Sequence, residues 1–480
     1  MRGPMLSKIL TLGGMLGTAA AVLLVSSKPA EAVPSYARQT GLACEACHTV
    51  FPQLTPFGRR FKLNGYTLTT KQGVSDINDK KGSTLSLADL PPISAMVQAT
   101  TTWWNAAPNE NNKSLPSTAK VQNGDVMMPR QLSLFYAGRI SDHLGAYLQL
   151  TYDGTNGSIG IDNSDIRYSD HTGDNKWVWG VSVNNNPGVQ DAWENNAAGW
   201  GFPFIKPAQY AGAKYAFGGA EPQIMNLGQT SAGVGAYTFY DNSLYAEFSL
   251  YRSTAFQRGG VVDSQVAVNG NPAIENYAPY WRVAYEKDWS NNSLQFGTSG
   301  MYMKLNQNGT DANGNTTFSP GLPNNYTDLG LDAQYQYIQG DHVAEFTTNY
   351  WHESSDNNST WVSAGNATNT HDNVNWFEAV GSYWYQRKIG GSVAFTKQWG
   401  SNDAALYGNS LANFTSSING SPDTQWETLE LDYLPWLNTK LMLQYNIYNE
   451  VMGGSTFNQG GRIRSAMDNN TLMAGMWVAF

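Results

Sequence analysis

Cys44 and Cys47 are the only cysteines in this 480-residue chain, and His48 directly follows the second. Two thiols three positions apart can bond to the two vinyl groups of one haem, leaving the adjacent imidazole to bind its iron. The same residues would serve other chemistry in other company. A zinc site needs two more nitrogen or sulfur ligands, and no second cysteine pair supplies them. A thioredoxin-like redox pair follows a strand in a βαβ pattern, which this sequence lacks. A structural disulfide stays open, although it would close only a very short loop. One covalent haem c is therefore the expected cofactor, with Cys44 and Cys47 as attachment points and His48 as metal ligand.

The N-terminus assigns a compartment to that chemistry. Arg2 and Lys8 precede the apolar run "ILTLGGMLGTAAAVLLV", and "AEA" at 30–32 is a small-x-small cleavage site. These are the parts of a secretory signal peptide over 1–32, with the mature chain starting near Val33. Haem c is attached outside the cytoplasm, so leader and motif agree. Composition excludes other classes. Charged residues make up 14%, against about 25% in an average domain. The net charge is −9 and no basic patch invites nucleic acid. After the leader, no run reaches the roughly 18 apolar residues that a membrane helix takes.

From residue 92 onward the chain consists of runs of alternating apolar and polar residues separated by turns. In "HLGAYLQLTYD", Leu144, Ala146, Leu148, Leu150 and Tyr152 fall on one face, with Gln149, Thr151 and Asp153 on the other. "TDLGLDAQYQY" repeats this, with Leu329 and Leu331 opposite Asp328 and Asp332. Such runs, apolar toward lipid and polar toward a lumen, are strands of a transmembrane β-barrel. About 16 occur, at 92–104, 129–139, 143–153, 163–170, 176–185, 229–240, 243–253, 276–288, 292–304, 325–338, 341–352, 374–387, 390–399, 425–435, 438–450 and 468–480. Short connections alternate with long polar ones, as periplasmic turns alternate with external loops in outer-membrane barrels. The chain ends on Phe480, which shares a face with Leu472, Ala474, Met476 and Val478. A soluble β-sandwich would alternate similarly, but not at this strand number and low charge. The expected fold is all-β: a transmembrane antiparallel barrel over 91–480, with a small c-type haem segment over 33–90 in or at the lumen. That segment is too short for an ordinary core of its own. A plug inside the barrel is the preferred picture, and a periplasmic cap the next.

The stretch "VPSYARQTGLACEACHTVFPQLTPFGRRFKLNGY", residues 33–66, resembles the haem-binding segment of the fused outer-membrane cytochrome–porins that oxidise ferrous iron. The matching elements are Pro34, "ARQTG", the haem motif, "FPQLTPFG" and "FKLNGY". In architecture the resemblance covers the whole chain; at motif level it is confined to these residues. It implies an oxidoreductase of the iron:cytochrome c reductase type, one that oxidises extracellular Fe(II) by one-electron transfer and hands the electron inward. The expected partners are Fe(II) outside, outer-membrane lipid, and a periplasmic carrier such as a small copper protein or soluble cytochrome c. External loops such as "NQNGTDANGNTTFSPGLPNNYT" carry almost no ionisable groups. Under the iron reading this suits an acidic medium, where carboxylates lose charge and cations do not; Asn, Gly and Ser also simply suit turns.

Arg38, Arg59, Arg60 and Lys62 make the haem segment basic. Their partners are haem propionates, through the bidentate guanidinium fork, or acidic lumen residues. For the sixth iron position the candidates are Met96, His143, His171, His342, the new α-amino group near Val33, Lys62, or water. Asp153, Glu247, Asp328, Asp332, Glu345, Glu430 and Asp432 are expected inside the barrel, and His352, Glu353, His371 and Asp372 near its outer rim as a weaker iron site. Two other functions compete with iron oxidation: a diffusion porin whose haem serves structure or sensing, and an outer-membrane conduit for another electron donor or acceptor.

Overall fold

Alternating runs become strands because each can turn an apolar face to lipid and a polar face inward. The computed structural model describes residues 34–50, 53–68, 92–106, 123–154, 157–174, 176–195, 221–253, 273–306, 308–310, 316–318, 323–408, 415–459 and 462–480. The leader and, of the expected haem segment, Val33, Phe51, Pro52 and residues 69–90 lie outside the described residues.

Sixteen long strands form the wall. They are β1 (Ile93–Trp104), β2 (Asp125–Arg139), β3 (Leu144–Asp153), β4 (Ser158–His171), β5 (Trp177–Asn184), β6 (Ser231–Tyr240), β7 (Leu244–Ser253) and β8 (Ala278–Trp289). They continue as β9 (Asn292–Asn306), β10 (Asn324–Gln339), β11 (His342–Asp356), β12 (His371–Tyr385), β13 (Ile389–Gly400), β14 (Thr424–Trp436), β15 (Thr439–Glu450) and β16 (Thr471–Ala479). The two-residue piece Ala273–Ile274 pairs with the outer end of β9 and brings the sheet to seventeen segments. Each long strand is antiparallel to the next. β16 returns to β1, with Met96 opposite Ala479 and Trp104 opposite Thr471, so the sheet closes and keeps no free edge.

Every expected run coincides with a strand. The larger differences lie at outer ends: β2 begins at Asp125, β4 at Ser158, and β11 continues to Asp356. There backbone pairing continues past the alternating runs: the outward residues of β11 turn polar at His352, Ser354 and Asp356, whereas β2 and β4 still expose Val126, Met128 and Ile159. Tight turns close the other end. Asp241 and Asn242, with φ of 50° and 52°, link β6 to β7 in a conformation Asp and Asn tolerate.

The outer surface is an apolar band that includes Val181, Val234, Phe248, Leu331, Val393 and Leu431, all exposed. Trp177, Tyr240, Trp289, Tyr385 and Tyr433 ring the end that carries the short turns, as interfacial aromatics do in outer-membrane barrels. Leu331 is 59% exposed near the middle of β10. Leu331→Arg is expected to destabilise the barrel in a bilayer by about 2–4 kcal/mol, the cost of a cation at the lipid midplane. Urea unfolding in lipid vesicles measures this, and an unchanged midpoint would remove Leu331 from the lipid face.

The lumen is filled differently at its two ends. At the periplasmic end it holds three short helices of the N-terminal segment: α1 (Pro34–Thr40), α2 (Cys44–Cys47) and α3 (Pro56–Leu63). These described helices lie against inward faces of the wall strands. Toward the outer end an apolar cluster includes Ile224, Met301, Trp351, Trp376, Trp426 and Phe457. This departs from the polar lumen expected of alternation. The cause is that outer connections fold inward: the turn Gln223–Asn226 and the hairpin Thr456–Gln459 with Arg462–Ser465 bring apolar residues against inward faces of the strands.

Candidate functional site

Local sequence signals build the plug. Thr55 caps α3: its Oγ1 accepts from the Gly58 N–H at 3.1 Å and donates to the Ala46 carbonyl at 2.7 Å. Pro56 follows at the first helical position, where its missing N–H costs nothing. That hydroxyl joins α3 to the turn that carries the two thiols. Gly58 is required by the same contact, since a Cβ there would lie 2.1 Å from the Cys47 carbonyl oxygen. After α3, Gly65 takes a left-handed φ of 66° and its absent side chain leaves room for the Arg167 carbonyl oxygen.

Wall contacts hold the helices in place. The Tyr36 hydroxyl donates to the Ala146 carbonyl at 3.0 Å, Arg38 to the Ile93 carbonyl at 2.5 Å, and Tyr66 to Asp165 at 2.7 Å. Tyr36 stacks on Tyr66 with centroids 5.6 Å apart, and Phe61 meets Tyr36 edge-on at 5.2 Å.

Cys44 and Cys47 stand one helical turn apart and are not joined by a disulfide. His48 follows the turn, its N–H donating to the Cys44 carbonyl at 2.9 Å. All three border one pocket between the plug and the wall. The plug adds Leu42, Leu54 and Phe61 to its lining; the wall adds Met96, Phe135, Tyr147 and Trp477; and the connection after β5 adds Val189 and Glu194. Burial, with the neighbouring Cys44, pushes the Cys47 thiol up to about 11. A protonated thiol is a poor nucleophile, which argues against a dithiol redox pair. Among the described residues no group of three or more His, Cys, Asp or Glu could hold a metal ion, so nothing completes a zinc site. An apolar pocket bordered by two thiols on one turn, not joined by a disulfide, and an adjacent imidazole fits a covalently held haem.

Of the basic residues in the segment, only Lys62 borders the pocket. Its ammonium donates to the Asp191 carbonyl at 2.8 Å and lies 3.7 Å from Glu194. Burial lowers Lys62 and raises Glu194 to about 7, outweighing their mutual attraction in both cases. Arg59 and Arg60 turn to acidic residues of the wall: Arg59 Nε lies 2.8 Å from Glu286, and Arg60 pairs with Asp288. Wall carboxylates, rather than pocket contents, are thus the partners of these two.

The candidates for the sixth iron position separate equally clearly. Met96 lines the pocket. His143 lies at a periplasmic turn with Nδ1 3.1 Å from the Ser169 carbonyl, His171 meets the Thr172 carbonyl, and His342 the Tyr383 hydroxyl. None of these three borders the pocket.

The rim residues considered for iron do not assemble. Strand alternation turns His352 outward, 2.9 Å from Asn375, while Glu353 is buried inside and accepts the Gln223 N–H at 2.5 Å. Exposed His371 pairs with Asp356 at 3.0 Å, and Asp372 is buried. Of the acidic residues expected to face inward, Glu247, Asp328, Asp332, Glu345, Glu430 and Asp432 are buried, and Asp153 is half-buried. Most have protein partners: Arg282 grips Asp332 at 2.7 and 2.8 Å, and Lys440 reaches Glu430 at 2.6 Å. The pocket residues that the sequence did not single out are Phe135, Tyr147, Trp477, Val189 and Glu194. Strand parity identifies the first three as inward residues; no local signal marks the last two.

No known family's sequence pattern matches the chain, and no curated protein does. Solved structures similar to it include OmpT, an outer membrane protein of Vibrio cholerae, at 9% identity and a TM-score of 0.46, covering 81% of this chain and 98% of that one. An anion-selective porin from Comamonas acidovorans is 13% identical with a TM-score of 0.44, covering 81% and 98%. The outer membrane channel DcaP of Acinetobacter baumannii is 12% identical with a TM-score of 0.43, covering 81% and 96%. At these levels the similarity is one of fold alone. The wall carries the conclusion by itself: a closed sheet of sixteen long strands, apolar outside and ringed by aromatics, is a porin-like barrel of the bacterial outer membrane.

Proposed function

We propose that this chain is an outer-membrane oxidoreductase of the one-electron type, carrying one haem c, with external ferrous iron as donor and a periplasmic carrier as acceptor. The observation that carries the proposal is the apolar pocket bordered by Cys44, Cys47 and His48 inside the periplasmic end of the barrel. A bound haem supplies a one-electron redox centre there. Cys44 and Cys47 hold it by two thioether bonds, and His48 binds its iron. Leu42, Leu54, Phe61, Phe135 and Trp477 keep water from it. Iron as donor rests on the resemblance of residues 33–66 to the iron-oxidising cytochrome–porins.

The position of the pocket favours the acceptor side. About eight residues of β1 separate Met96 from Trp104 at its outer end, roughly 26 Å of strand at about 3.3 Å each. The cluster around Trp351, Trp376 and Trp426 lies toward the outer end, so an electron entering from outside crosses packed protein. A second reading, a diffusion porin that holds a haem, is favoured by the sixteen-strand wall.

One pair of measurements decides between them. Purified oxidised protein is mixed with ferrous iron at acid pH while the haem bands are followed, and the same preparation is placed in a planar bilayer. Electron transfer predicts reduction by iron and little conductance. A porin predicts a large ohmic conductance and no reduction by iron. Reduction by another reductant but not by iron would transfer the role to a conduit with a different donor.

A further inference from the structure

We propose that Met96 is the second protein ligand of the haem iron, an assignment that rests on the haem reading above. Met96 lies on β1, is 2% exposed, and borders the same pocket as Cys44, Cys47 and His48. Its register partners Ser133 and Ala479 are buried on the inward face with it.

The tyrosine hydroxyls and the lysine amine lining the pocket are engaged elsewhere. The Tyr36, Tyr66 and Tyr147 hydroxyls donate to Ala146, Asp165 and Gln149. Lys62 donates to the Asp191 carbonyl, with Glu194 beside it. Among the described residues the Met96 sulfur accepts one long hydrogen bond, from the Gln98 side-chain amide at 4.0 Å, a weak hold on a soft thioether. Both remaining sulfurs in the lining, on Cys44 and Cys47, are consumed by attachment. Met442 and Met473 pack in the same cluster as Met96 and Trp477 without bordering the pocket. They steady Met96, whose unbranched side chain can turn its sulfur to a metal. A methionine opposite histidine in the coordination of haem iron raises the reduction potential. That suits a centre oxidising ferrous iron, a weak reductant in acid.

The test uses full-length haem-loaded protein in detergent, read by two signals independent of iron oxidation. One is the weak far-red charge-transfer band of a thioether on ferric haem; the other is the reduction potential. The native protein is expected to show the band. Met96→Leu, close in volume and apolar, is expected to lose it, lower the potential, and let the ferrous haem take up carbon monoxide. Met96→His is expected to keep six-coordination without the band and to lower the potential. Haem staining and heat-modifiable migration report that both variants fold. A native haem protein whose band and potential survive Met96→Leu overturns the Met96 assignment alone, leaving Met96 as packing. A native protein without covalent haem overturns the haem reading and this one together.

Discussion

Replacing both Cys44 and Cys47 by alanine is expected to remove all haem stain from the mature chain on a denaturing gel, while the barrel still forms. Each single replacement is expected to cripple attachment. The two thiols stand on one turn beside His48 and border one apolar pocket, and the chain has no other cysteine to take over. Neither thiol bonds to the other, so the double variant breaks no crosslink. The wall does not depend on them, because its sixteen strands pair with each other and close through β1 and β16. Heat-modifiable migration should therefore persist in the variant. Stain that survives the loss of both cysteines would refute a covalent haem. Loss of the barrel together with the stain would instead make the segment a folding element of the wall.

What the sequence made legible follows from which physical signal is local. Period-two alternation marks a strand between lipid and lumen, so runs such as Leu329 to Tyr337 could be assigned without any partner strand. Parity also put Asp328 and Asp332 on the inside, where both are buried. It could not tell what an inward tryptophan meets. In "NYWHE", parity turns Trp351 inward and His352 outward, but only the inward folding of outer connections decides that Trp351 is buried in an apolar cluster. The same limit applies to the pocket. The haem motif is local and was readable, as was the Thr55–Pro56 start of α3. Glu194 reaches the pocket from a connection between β5 and β6, and Lys62, its partner, is 132 positions away in sequence. Such contacts depend on closure of the barrel, not on spacing.

Arg59→Met is expected to release the plug from the wall, and it carries the largest stability cost among the changes that leave the pocket lining intact. Arg59 and Glu286 are 2% and 1% exposed, at 2.8 Å. The guanidinium also donates to Ser293 at 2.8 Å, Gln336 at 2.8 Å and the Leu54 carbonyl at 3.0 Å. One side chain thus ties the end of the haem turn to the wall strands β8, β9 and β10. Removing one partner of a buried ion pair strands the other, at a cost of about 3–5 kcal/mol. The Trp193 indole still donates to Glu286, which places the expected loss toward the lower end of that range. Arg60 supplies the control, because it is 35% exposed and its pair with Asp288 sits at the surface; Arg60→Gln should cost only about 0–1 kcal/mol. Limited proteolysis reads the difference: cleavage within 34–68 should become rapid in Arg59→Met and stay slow in Arg60→Gln, with heat-modifiable migration unchanged in both. Adding Glu286→Gln to Arg59→Met should restore much of the protection, since the stranded charge is then gone. Equal cleavage of the two single variants would mean that the plug is held by the Tyr36 and Tyr66 hydroxyls on Ala146 and Asp165 rather than by the ion pair, and the double variant would then gain nothing.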